Sequence, residues 1–188
     1  MTKLMIKARP AQRVRVAAAG MPPAPRWAEL AAMAAALTTV PSGLWRIAFG
    51  FGVPVGLSGA TAAAYAEHQP GWGTVYCVAL SALAETLAFL TMGLVRPWGR
   101  VVPHWIPVLG GRRVHPLALI VPAALGSAGL TNVGVMALTG GWSRNMADPD
   151  APHGLGGAVM TLAYLPLVFW GPLLGIVTLD FARRALQR

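Results

Sequence analysis

The sequence predicts an all-α, polytopic membrane protein: four transmembrane helices in a bundle, with both termini cytoplasmic. Three observations predict it. The 188-residue chain is 55% hydrophobic and only 11% charged, whereas a soluble domain carries about 25% charged residues. Its charges are clustered, which leaves four apolar stretches, about 28–55, 75–95, 116–139 and 157–180. Each reaches the roughly 20 residues that a bilayer crossing needs. Finally, thirteen of the fifteen Lys and Arg residues fall on one side of the topology those stretches define.

Those charges set the orientation. Lys3, Lys7, Arg9, Arg13, Arg15 and Arg26 precede the first stretch. Arg96, Arg100, Arg112 and Arg113 follow the second, and Arg183, Arg184 and Arg188 follow the fourth. The other side has only Arg144, and Arg46 lies within the first span. Cytoplasmic loops carry the excess of Lys and Arg, so both termini and the 96–115 loop are placed inside a bacterial cytoplasmic membrane. Trp27, Trp98 and Trp105 fall on the inner rim and Trp72 and Trp142 on the outer, as an interfacial aromatic belt requires. The net charge of +9 would also suit a nucleic-acid partner, but the basic residues sit beside apolar spans and no nucleic-acid module is visible.

Residues 1–26 read as a basic cytoplasmic tail before a membrane domain over 27–188, with Met21-Pro22-Pro23-Ala24-Pro25 opposing helix. Anionic head groups on the cytoplasmic face are its expected partner. The first apolar run is too long for a cleaved leader and reads as a retained signal anchor. Residues 27–66 could hold two short crossings, but these would put the four-arginine loop outside, so one crossing is expected. In the second span Leu80, Leu83, Leu87, Leu90 and Leu94 form one stripe, opposite Cys77, Ser81, Ala84, Ala88 and Thr91. Lipid should meet the leucines and neighbouring helices the small face, because close approach in bilayers uses small residues. The third span offers Ala118, Pro122, Gly126 and Gly129 as a small face. The fourth offers Gly171 and Gly175, with kinks at Pro166 and Pro172. Gly52 and Gly56 give the first span the same spacing.

Charge at membrane depth is costly, by about 2.5–3.5 kcal/mol on insertion scales, and marks a pair or a polar path. Arg46 and Glu85 are therefore the first candidate site. They form a buried pair fixing helix register, or a substrate or ion path with Ser81, Asn132 and Thr161. A third reading lets Arg46 snorkel to the outer head groups. For a membrane-embedded enzyme, Glu85 would be the general acid, with Arg46 and Tyr164 beside it. The outer loops hold Glu67, His68, Asp148, Asp150 and His153. These could bind zinc or a similar cation if the loops met, although Asp148-Pro149 and Gln69-Pro70-Gly71 also make ordinary turns. In the inner loop Arg96, Trp98, Arg100, Trp105, Arg112 and Arg113 suit lipid head groups, or an anionic ligand. Gly110-Gly111 lacks the pattern of a phosphate-cradling loop. The single Cys77 leaves no internal disulfide, and no cofactor is expected.

Pro41-Ser42-Gly43-Leu44-Trp45-Arg46, Pro70-Gly71-Trp72-Gly73-Thr74 and Arg96-Pro97-Trp98-Gly99 through Gly110-Gly111-Arg112-Arg113 carry a family likeness over about residues 38–185. In these the chain resembles small four-span integral membrane proteins of high-GC Gram-positive bacteria, a group that brings no assigned activity. It differs from small multidrug transporters, which are shorter and carry their key glutamate in the first span. Three function classes follow. The first is a non-enzymatic accessory or interaction component, homo-oligomeric or bound to another membrane protein. The second is a small proton-linked transporter using Glu85, and the third an enzyme acting on a lipophilic substrate. The short loops and the lack of a catalytic motif favour the first.

Overall fold

The computed structural model describes residues 21–101, 111 and 114–186. The described chain is all-helical between its turns. In order, the helices are α1 (Arg26–Leu37), α2 (Val40–Gly50), α3 (Gly59–Ala66), α4 (Trp72–Leu90) and α5 (Met92–Val95), then α6 (Pro116–Met136), α7 (Trp142–Met146), α8 (Gly154–Tyr164) and α9 (Leu167–Leu186). Three continuous stretches are long and apolar enough to cross a membrane: Trp72–Val95, Pro116–Met146 and Gly154–Leu186. The second joins α6 to α7 through a π-helical turn at Ala137–Gly141, where Gly140 takes φ 111°. The third joins α8 to α9 across Leu165-Pro166, because proline cannot donate to the preceding turn.

The expected first span departs from one unbroken helix. It splits into α1 and α2, of 12 and 11 residues, and stops at Gly50 rather than near 55. Pro41 has no amide proton for the turn before it. Three hydroxyls fill that turn instead. Thr38 donates to the Ala35 carbonyl at 2.7 Å, Thr39 to Ala36 at 3.2 Å and Ser42 to Thr39 at 2.9 Å. Such back-bonding bends helices without ending them. Thr38 and Thr39 accordingly keep right-handed helical dihedrals. Gly52 and Gly56, expected to form a packing pair, lie beyond the helix with positive φ.

The bent rod α1–α2 runs antiparallel to α4–α5 along its whole length. Gly50 meets Cys77 and Gly43 meets Ser81. Ala35 packs with Ala88 and Trp170, and Ala28 and Ala32 with Leu94, Val95, Val177 and Phe181. Alanine and glycine at every contact let the two backbones close on each other. On α4 the outward stripe is as expected for Leu83, Leu87 and Leu90, all more than half exposed, and Cys77, Ser81, Ala88 and Thr91 are buried. Leu94 is the exception: it is 4% exposed, in the core beside Phe181.

Helix α9 packs along α6 and α1. Gly171 and Gly175 form a close-packing pair. They face Thr131 and Ser127, whose hydroxyl donates to the Gly171 carbonyl at 2.9 Å. Gly126 is in ordinary contact with Leu174, and nothing lies within 4 Å of where a Gly129 β-carbon would sit. We therefore expect Gly126→Ala to be neutral or stabilising by up to about 1 kcal/mol, through helix propensity; a loss of thermal stability in detergent would contradict that contact.

Candidate functional site

The seam between α2 and α4 carries the two interior charges. Ser42 and Gly43 pack against α4, and Ser81 is 1% exposed and donates to the Gly43 carbonyl at 3.4 Å. The missing side chain at Gly43 makes room for Glu85, whose Oε1 would lie 3.1 Å from a β-carbon there. Glu85 is thus half-buried in the seam. Arg46 lies one turn past Gly43, between the Gly43 contact with Ser81 and the Gly50 contact with Cys77. That places it about five residues along α4 from Glu85, or ~7 Å. Among the described residues the ion pairs are Arg96–Glu29 and Arg184–Asp180. The expected Arg46–Glu85 pair is not among them.

Arg46 instead lies near an aromatic cluster. Its guanidinium acts electrostatically on Tyr164 and Cys77, and its buried Nε has no hydrogen-bond partner. The Tyr164 ring lies edge-on to Trp45 at 5.6 Å and packs at the same distance against Trp142. Phe49 stacks with Trp45 and meets Tyr65 edge-on. Trp142 Nε1 donates to Thr161, whose hydroxyl donates to the Gly157 carbonyl at 2.8 Å. Beside this cluster is a cavity of about 250 Å³, walled by residues including Leu138, Trp142, Ser143, Thr161, Tyr164 and Val168. Arg46, Glu85, Ser81 and Asn132 are not in its wall. The residues expected to line one path are therefore split. Thr161 and Tyr164 border the cavity, Ser81 and Glu85 occupy the seam, and Asn132 is exposed on the outer face of α6.

The loops before α3 and before α8 do touch, but not as a metal centre. Asp150 Oδ2 accepts from the Thr61 amide at 3.0 Å, at the start of α3, and the Asp150 carbonyl accepts from Ser58 N. Asp148 Oδ1 accepts from the Asp150 amide. His68 bonds the Ala64 carbonyl and His153 the Pro149 carbonyl. Among the described residues no three His, Cys, Asp or Glu gather closely enough to hold a metal ion. Asp148 and Asp150 are spent on turn and helix amides, the turn chemistry that their neighbouring prolines predict, while Glu67 lies exposed at the end of α3. Asp150→Ala is expected to cost about 0.5–2 kcal/mol, the usual loss of a helix cap. Hydrogen exchange should then quicken at residues 59–62; unchanged exchange there would show that Asp150 caps nothing.

At the end where α1 begins and α9 finishes, Trp98 stacks on Phe89 at 5.5 Å and Arg96 reaches Glu29 at 3.9 Å. Both members of that ion pair are more than a third exposed, so it is worth at most about 1 kcal/mol. The Arg100 carbonyl accepts from Val114. Trp105, Arg112 and Arg113 lie outside the described residues.

Sequence reasoning missed a second charged site at this end. The sequence uses Arg184 only as an orienting charge after the fourth stretch, yet Arg184 is 6% exposed. Arg184 Nε donates to Asp180 at 2.7 Å and Nη2 to the Leu94 carbonyl at 3.2 Å, where α5 runs out of partners for its own carbonyls. Nη1 points at Met21 Sδ and the guanidinium lies 5.8 Å from the Phe181 ring centre. The i, i+4 spacing of Asp180 and Arg184 was the available signal. No family model matches the chain, and no curated protein or solved structure is significantly similar to it.

Proposed function

We propose that the chain is a non-enzymatic integral membrane component that works by association within the bilayer. The observation that carries this is the bareness of Pro116–Met146. Only 6% of its most apolar window is buried within the chain, against 33% for Trp72–Val95. Its chain covers it with little besides α9. The interior polar residues Ser42, Ser81 and Thr178 are tightly packed rather than set around a chamber. We read α1–α2 as a fourth, bent crossing, because it matches Trp72–Val95 contact for contact along its length. The clustering of Lys and Arg supports cytoplasmic termini and a bacterial cytoplasmic membrane, with Arg96 and Trp98 at the head groups. Extraction in mild detergent followed by native mass spectrometry should give an oligomer or a complex; a strict monomer without partners would overturn the reading.

A proton-linked carrier is the second reading, favoured by Arg46 Nε lacking an acceptor and by Glu85 lacking an ion pair. Charged groups kept at depth without a partner commonly serve transport. On that reading Glu85→Gln should lower proton flux in liposomes at least tenfold. Equal flux in the two proteins would remove Glu85 from any carrier role. The enzyme reading loses ground because the cavity does not border Glu85.

A further inference from the structure

We infer that α6 is the contact surface for a second copy of this chain, with Asn132 as its polar centre. This deepens the association reading above, and rests on it. The face of α6 that meets α9 is formed by Ser127, Thr131 and Gly134. Directly opposite, Ala118, Pro122, Leu125, Gly129, Asn132 and Met136 follow at alternating steps of four and three, and all six are exposed. Steps that average 3.5 residues make a straight seam for one further helix.

Asn132 decides what that helix is. Thr131, its neighbour, packs on Gly171 next to Trp170, and Trp170 packs with Ala35 and Ala88. Asn132 is therefore near mid-depth of the bundle. Its carboxamide has two donor hydrogens and one acceptor oxygen. Its one described hydrogen bond is to Met136 Sδ at 3.7 Å, a weak acceptor. By contrast, the exposed hydroxyls of Thr86 and Thr139 both bond carbonyls one turn back on their own helix, as serine and threonine can anywhere in a membrane. Hydrocarbon offers the Asn132 amide nothing, so its partner must come from protein. A carboxamide is complementary to itself: across a two-fold axis each copy donates to the other's oxygen. Gly129, one turn away with open space above it, lets two such helices approach closely.

The test uses the full chain with Cys77→Ser, carrying Gly129→Cys or, as a control, Leu83→Cys on the lipid-facing stripe of α4. Oxidation in native membranes should give a covalent dimer at position 129 and little at 83. Energy transfer between labelled copies in vesicles should show self-association about tenfold weaker for Asn132→Leu and largely kept for Asn132→Gln. Dimer yield at 129 no higher than at 83, or self-association untouched by Asn132→Leu, overturns the proposal. If the chain then purifies with a different membrane protein, association stands and only the second copy is wrong. If it purifies alone as a monomer, both fail.

Discussion

Replacing Arg184 with methionine is expected to destabilise the protein by about 3–5 kcal/mol, the range for removing one partner of a buried ion pair. The loss has three parts. Asp180 would be left charged and nearly buried, with its side chain 12% exposed. The Leu94 carbonyl would lose the guanidinium that ends α5. The packing over Phe181 would open at the core that joins α1, α5 and α9. Asp180→Asn alone should also cost stability, by less, since an amide still accepts from Arg184. The double change Asp180→Leu/Arg184→Met should recover much of the loss, because two apolar side chains of similar size replace a buried pair at little cost. Thermal unfolding in detergent across this cycle measures the coupling. Additive single effects, or a fall below about 1 kcal/mol for Arg184→Met, would show that the pair is a surface contact after all.

Gly171→Val is the second change expected to have a large effect, at roughly 2–3 kcal/mol, the upper part of the usual cost of overpacking. A β-carbon at Gly171 would run into the backbone nitrogen of Thr131 and its hydroxyl. A backbone atom cannot swing aside, so α6 and α9 must separate. The Ser127 hydrogen bond to the Gly171 carbonyl would stretch with them. Loss of stability on titration with a denaturing detergent checks this, set beside Gly126→Ala on the same pair of helices. Equal stability of the two variants would mean that the helices are not in close contact at Gly171.

Much of the fold was legible because bilayer solvation acts on long averages. Three of the four apolar stretches became candidate crossings, the second within three residues of its expected limits and the other two running six or seven residues past theirs. The small face of α4 was legible because leucine and small residues segregate on opposite sides. Helix α6 was not, since its apolar residues are spread evenly round it and leave no direction to read. Its glycines alone suggest a packing face there, while Ser127 and Thr131 do the packing. The bend at Thr38 and Thr39 comes from side-chain competition for carbonyls, a local effect that hydropathy averages away. Of the candidate site, the identity of Arg46 and Glu85 as interior charges could be read, but not their pairing. That depends on the register between α2 and α4, which is set by where glycines admit close contact.

The bond from Thr61 to Asp150 spans 89 residues of chain, and this orders events during synthesis. The ribosome delivers α3 long before it delivers residue 150. Until the last loop arrives, the first has no carboxylate to close on. The start of α3 must therefore wait unclasped after α1, α2 and α4 are made, until residue 150 arrives to fasten it.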